Sequence, residues 1–310
     1  MKIVFFGSSE FSVPFLEAFK ECIVLVVTTI DRKKGRGNKS HANPVKIAAI
    51  KHNLNYITVS KFGKEEQEKI RSYFPNTFLV VSFGKIIPDS FLEIVKCPIN
   101  LHPSALPLYR GAAPIERQIM DGVTDSKICI MKVVKELDAG DILVEKPLKI
   151  ELNDTKGEVE KKIIKEGIPL IEQVLKLVEC GKCLGYPQFG NASYAFKIEK
   201  SDKEINWRKS NIQIFNQIRA LNPRPGAFTY FRGKSIKIFK VELLNEEHNE
   251  TPGEIISVKK EYFDVQCGNG ALRVMEVQPE GKRVMNSLDF INGIKIEEGE
   301  CFTEKSPLNK

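Results

Sequence analysis

Short apolar runs alternate with amphipathic stretches through the first part of the chain. Residues 3–6 are apolar and stop at Gly7, the pattern of a short buried strand. Ser12-Val13-Pro14 follows, a helix start with proline inside the first turn, and Phe15, Leu16 and Phe19 give that helix an apolar face. The β-branched run 23–28 predicts the next buried strand and 45–50 a helix. Residues 77–83 predict another strand, closed by a turn at 84–88, and 99–101 and 128–134 predict two more. Strands alternating with helices predict an α/β unit, a Rossmann-like open parallel sheet with helices on both faces.

The second part reads differently. Thr155-Lys156-Gly157-Glu158 has the spacing of a capping box, and apolar residues then recur at helical spacing from Val159 to Val178. Gly167 and Pro169 interrupt that pattern and predict a kink or two helices. Residues 183–203 lose the periodicity and read as a connection crossing the surface. A helix fits 210–221. Short strands separated by turn residues follow, with Arg232-Gly233-Lys234-Ser235 as a hairpin tip. This spacing predicts a small OB-like β-barrel. The expected division is a first domain over 1–187, a linker over 188–203 and a second domain over 204–310.

Composition adds little until charge is placed. At 310 residues, two domains are the prior expectation. No stretch approaches the roughly 20 apolar residues of a spanning helix, and the first apolar run is too short for an export signal. The seven cysteines are therefore expected as reduced thiols in the cytoplasm. The formal net charge is +7. From Trp207 to Val241 the chain carries Arg208, Lys209, Arg219, Arg224, Arg232, Lys234, Lys237 and Lys240 without one Asp or Glu. A second patch holds Arg32, Lys33, Lys34, Arg36 and Lys39. One such patch is as easily a solvated face; two acid-poor patches point to RNA or another phosphate-rich ligand.

Candidate chemistry concentrates in two places. Asn100 and His102 stand two apart at the end of a short strand and so share one face. In an open parallel sheet, ligands bind at the carboxyl ends of the strands. A carboxamide beside an imidazole supplies donors for the oxyanion of an acyl-transfer intermediate, and imidazole exchanges protons near neutral pH. Alone, such a pair is more often an ordinary polar strand end. Leu137-Asp138-Ala139-Gly140 lets the chain turn sharply and aim a carboxylate, although Asp-Gly turns are common.

Asn100-x-His102-Pro103-Ser104-x-Leu106-Pro107 followed by Leu137-Asp138-x-Gly140 resembles the signature of the 10-formyltetrahydrofolate-dependent formyltransferases. The resemblance implies that Asn100, His102 and Asp138 form a catalytic trio and that 10-formyltetrahydrofolate is the cosubstrate, with no metal. It implies folate contacts at Ser82, Phe83, Gly84 and Ile86, and at Ser104, Ala105, Leu106 and Pro107. Ala105 replaces the leucine usual in that segment. Three further segments resemble family members whose acceptor is initiator methionyl-tRNA, and together they span nearly the whole chain. They are Phe6-Gly7-Ser8-Ser9-Glu10-Phe11, the loop Asp31-Arg32-Lys33-Lys34-Gly35-Arg36-Gly37, and Ile205-Asn206-Trp207 with Ile218-Arg219-Ala220-Leu221-Asn222-Pro223. This likeness implies tRNA contacts at Arg32, Lys33, Lys34, Arg36 and Lys39, and at Arg208, Lys209, Arg232 and Lys234. It also implies a monomer with no membrane partner.

Other signals carry less. Cys180-x-x-Cys183 lacks a second ligand pair for zinc and reads as two incidental thiols. His41, His52 and His248 sit in no cluster. Two alternative functions stay open: a related folate enzyme that formylates an amino sugar nucleotide or a purine precursor, and a non-catalytic tRNA-binding protein. The first would need neither the Arg36 loop nor a basic second domain. The second would bind tRNA yet release no tetrahydrofolate.

Overall fold

The computed structural model describes residues 1–34, 39–244 and 250–303. The chain divides into two compact units that are not simply sequential. One comprises 1–114, 125–149 and 160–196; the other comprises 115–124, 150–159 and 197–310.

In chain order the elements begin with β1 (Ile3–Gly7), α1 (Val13–Phe19), β2 (Ile23–Thr29), β3 (Arg32–Lys34), β4 (Lys39–His41), α2 (Pro44–Lys51), β5 (Tyr56–Val59), α3 (Lys64–Arg71) and β6 (Thr77–Val81). There follow α4 (Asp89–Leu92), β7 (Ile99–His102), β8 (Arg110–Gly111), α5 (Pro114–Met120), β9 (Asp125–Lys132), β10 (Ile142–Lys149), α6 (Lys156–Glu179) and β11 (Tyr194–Ala195). The last group is α7 (Asn211–Ala220), β12 (Ala227–Phe231), β13 (Lys234–Leu244), β14 (Ile255–Val258), β15 (Phe263–Gln266), β16 (Ala271–Pro279), β17 (Met285–Asn286) and α8 (Ser287–Ile294).

The first unit is built on one sheet of order β10-β9-β7-β6-β1-β2-β5. The strands from β7 to β5 are parallel, as expected. The edge is not: β9 runs antiparallel to β7, and β10 antiparallel to β9. Every residue of β1 and β6 is buried, which is why both read as unbroken apolar runs. By contrast, β10 was not visible as a strand in the sequence. Only Ile142 and Leu148 of β10 are buried, and Glu145, Lys146 and Lys149 break the apolar pattern.

Helix α6 overturns one of the two expected alternatives, that of two separate helices. It runs unbroken from Lys156 to Glu179 with Pro169 inside. Gly167 is used for packing: a Cβ there would lie 2.7 Å from a Leu101 methyl and 3.3 Å from the Phe15 ring. The cysteine expectation is also corrected, because Cys97 and Cys183 form a disulfide with Cα atoms 6.0 Å apart. The two are separated by 86 residues, so only the folded chain brings them together. The other five cysteines are free.

The second unit has an antiparallel sheet of order β12-β13-β16-β15-β14, with β17 on β16. Residues 299–303 join its two edges. Backbone hydrogen bonds link Ile255 to Glu300 and Gly299 on one side, and Tyr230 to Thr303 on the other. The predicted barrel is thus closed by an irregular segment rather than by a further strand. Its core holds Trp207, Phe215, Phe231, Phe263, Phe290 and Phe302. The Trp207 indole N–H donates to Thr229 Oγ1 at 3.0 Å, which satisfies the one polar atom of a buried ring.

Arg219 explains why the early segments 115–124 and 150–159 belong to this unit. Its side chain is buried, and its guanidinium donates to Asn216 Oδ1 and to the carbonyls of Asp154, Glu151 and Ile119. Arg117 also pairs with Asp202 in a forked contact at 2.7 and 3.0 Å. The count of basic residues therefore overstates the cationic surface, since Arg219 is an internal tie.

Candidate active site

The site lies at the carboxyl ends of the parallel strands β6 and β7. Val80 pairs with Asn100, so the loop after β6 and the polar end of β7 emerge side by side. Alternation along β7 buries Ile99 and Leu101 while Asn100 remains half-buried. The Asn100 carboxamide has no hydrogen-bond partner among the described residues, so its N–H groups are available to a ligand.

His102 is held by the loop that follows it. Its Nε2 lies 2.9 Å from the carbonyl oxygen of Tyr109. A carbonyl only accepts, so Nε2 carries the proton and Nδ1 is the ring atom left for chemistry. The loop is itself tied down: Ser104 Oγ donates to the Leu108 carbonyl at 2.6 Å, and Tyr109 N–H donates to Ser193 Oγ at 2.9 Å.

Asp138 Oδ2 lies 3.7 Å from His102 Nδ1. That is beyond a direct hydrogen bond, so the carboxylate faces the free ring nitrogen without being bonded to it. The same oxygen accepts the Gly111 N–H at 2.8 Å. Asp138 has a φ of +49°, a left-handed conformation that aspartate tolerates better than most residues. Lys132 N–H donates to the Asp141 carbonyl at the base of this turn. Gly140 is there because a Cβ would lie 1.8 Å from the Lys132 carbonyl oxygen. The Asn100, His102 and Asp138 of the motif reading are thus gathered at one edge of the sheet. The imidazole is oriented by a backbone carbonyl, that of Tyr109.

The residues expected to hold a cosubstrate surround this edge in two loops. Ser82 and Gly84 take positive φ of +49° and +72°, which turns the backbone sharply after β6. Ile86 is 77% exposed. Phe83 turns its ring into the core against Phe6 and Phe62, and its carbonyl accepts from the Ser8 hydroxyl. Ser104, Leu106 and Pro107 are buried, and Ala105 is half-buried. Behind them the Cys129 thiol points at the Ser104 carbonyl. Burial pushes that thiol up to about 12, so it stays protonated and inert.

The expected basic contacts are scattered. Arg36 lies outside the described residues. Arg32, Lys33 and Lys34 fall on β3, and Lys39 on β4, which pair antiparallel. In the second unit Arg208, Lys209 and Lys234 are exposed. Arg232 is committed to a forked pair with Glu300 and to the carbonyls of Ile294 and Lys295. Residue-by-residue reading missed Tyr109, Gly111 and Gln188, which act through backbone and carboxamide groups that no sequence pattern marks.

Residues 1–175 match the formyl transferase family, and residues 197–295 match the formyl transferase C-terminal domain family. A methionyl-tRNA formyltransferase from Syntrophomonas wolfei is 39% identical over 313 residues, covering 98% of this chain and 99% of its own. One from Dictyoglomus turgidum is 41% identical over 311 residues, covering 97% and 99%. Among solved structures, the N-formyltransferase from Helicobacter canadensis in complex with folinic acid and dTDP-3-aminofucose has the same fold. Its TM-score is 0.63 at 21% identity, over 90% of this chain and 99% of that one. Full-length identity at this level decides the assignment: the chain belongs to the methionyl-tRNA formyltransferase family.

Proposed function

We propose that this protein transfers the formyl group of 10-formyltetrahydrofolate to the α-amine of methionine on initiator methionyl-tRNA, in the cytoplasm and as a monomer. The observation that carries the reading is the convergence of Asn100, His102 Nδ1 and Asp138 Oδ2 at the carboxyl edge of β7, in a chain of this family. The exposed Ile86 and the sharply turned backbone at Ser82 and Gly84 suit the flat pteridine of a folate, a class represented by the folinic acid in the Helicobacter canadensis enzyme.

The reaction needs an oxyanion site, a proton path and no redox step. The methionine nitrogen attacks the formyl carbon, and the carbonyl oxygen becomes an oxyanion. Asn100 donates to it through its side-chain N–H, and His102, once its Nδ1 has taken up the amine proton, donates through that same atom. When His102 is neutral, Nδ1 holds a lone pair that accepts the proton lost by the attacking amine. Asp138 stabilises the imidazolium across 3.7 Å. Collapse breaks the bond to N10, and the proton taken from the amine is delivered to N10. One C–N bond forms, one breaks, and no other reactant is consumed.

Arg208, Lys209 and Lys234 are exposed cations suited to the phosphates of the tRNA, with Arg36 and its neighbours as the second contact. Single-turnover formyl transfer with Asn100→Ala and His102→Ala tests the site. Each folded variant should lose ~100-fold or more in rate, the usual cost of removing an oxyanion donor. Near-full turnover by either would remove that residue from the chemistry.

A further inference from the structure

The sequence places Gln188 in a connecting segment with no role. In the structure its carboxamide joins three separate parts of the active-site edge. Its Oε1 accepts from Arg110 Nε at 3.0 Å and Nη2 at 2.6 Å. Its Nε2 donates to the carbonyls of Asp138 and Gly140, both at 2.9 Å. Chemistry sets the orientation of the amide: a guanidinium only donates and a carbonyl only accepts, so neither end can be exchanged.

The consequence is a closed frame around one carboxylate. Arg110 and Gly111 are consecutive in β8. Gly111 N–H holds Asp138 Oδ2 at 2.8 Å from one side. Gln188 Nε2 holds the Asp138 backbone from the other and is anchored on Arg110. Asp138 has the left-handed φ of +49°, and Gln188 grips the carbonyls of Asp138 itself and of Gly140, two residues on. Strand β11 extends the frame, since Ala195 pairs with Gly111 and the Arg110 N–H donates to the Ser193 carbonyl.

We infer that Gln188 is a positioning residue: it holds the Asp138 turn so that the carboxylate stands opposite His102 Nδ1. The inference rests on the formyl-transfer reading above. Gln188 touches neither His102 nor any reacting atom, so its effect on rate runs through Asp138. A displaced catalytic group costs up to ~100-fold in rate per ångström.

The test is a double-mutant cycle in the formyl-transfer assay, with the unaltered protein as control. Gln188→Ala should lower kcat by ~10-fold or more while KM for 10-formyltetrahydrofolate changes by less than ~2-fold. In an Asp138→Asn background the same substitution should cost nothing further, because the group it positions is already impaired. Gln188→Glu serves if the alanine variant does not fold. It keeps the size and the acceptor for Arg110 but sets an oxygen against the two carbonyls, so it should lose kcat in the same way. Full kcat in the folded variants overturns the inference. So does an equal loss with and without Asp138, or a defect confined to KM. No turnover by the unaltered protein would instead defeat the functional reading, which keeps the two failures apart.

Discussion

At the scale of single residues, the hydrogen bond from His102 Nε2 to the Tyr109 carbonyl decides more than the motif does. It commits one ring nitrogen to the scaffold and aims the other at Asp138. Asp138→Ala should therefore fold and be nearly inactive. Turnover close to the unaltered rate would show that the carboxylate is dispensable. The cysteines give a second, independent check. Burial pushes Cys129 and Cys267 up to about 12, so both stay protonated at pH 8. An aromatic disulfide reagent should label the exposed Cys180 in native protein and leave Cys129 and Cys267 untouched until denaturation. Peptide mapping without reductant should recover Cys97 joined to Cys183. Rapid native labelling of Cys129 would contradict the burial of the wall behind Ser104.

At the scale of elements, two polar ties hold segments that the sequence leaves distant. Arg219 on α7 binds the carbonyls of Glu151, Asp154 and Ile119 from within the core of the second unit. Arg219→Met should cost about 3 kcal/mol in urea unfolding, since hydrogen bonds from a charged donor contribute ~1.5–3 kcal/mol each. A cost below ~1 kcal/mol would mean that those carbonyls find other donors. Arg117 is the second tie. Its hydrogen bond, and then the one donated by the Glu199 backbone N–H, hold the Asp202 carboxyl below its ordinary 3.8 against the opposing effect of burial. A carboxylate with a lowered folded value stabilises the protein above the unfolded value. That stability is lost as pH falls from 3.8 through the folded value. The Tm deficit of Asp202→Asn should therefore be present at pH 7 and shrink as pH drops below 3.8. A deficit constant across that range would mean that the pair contributes nothing through charge.

At the scale of the whole molecule, two kinds of feature were legible in the sequence in different measure. The buried strands β1, β2 and β6 announce themselves because both faces of a parallel strand must be apolar. The N-x-H and D-x-G spacings are visible because the proposed chemistry needs those side chains. Strand β10 was hidden because an edge strand needs only alternate burial. The Tyr109 carbonyl and the Gly111 N–H were hidden because they are backbone groups that every residue carries, and Gln188 because its partners lie far from it along the chain. The disulfide and the Arg219 tie depend on tertiary proximity, so no local pattern could reveal them. Charge is the property that the sequence overstated: Arg219 is internal and Arg232 is paired, while Arg208, Lys209, Arg224, Lys234 and Lys240 are exposed. Affinity for tRNA should still fall steeply with salt, because each phosphate contact releases condensed counterions. A flat salt response would remove these cations from the RNA surface.

The most direct measurement is formyl transfer from 10-formyltetrahydrofolate with four acceptors in parallel: methionyl initiator tRNA, methionyl elongator tRNA, free methionine and an amino sugar nucleotide. Strong preference for the initiator tRNA, lost in His102→Ala, is the predicted result. Preferential formylation of the sugar amine, or tRNA binding with no release of tetrahydrofolate, would contradict it.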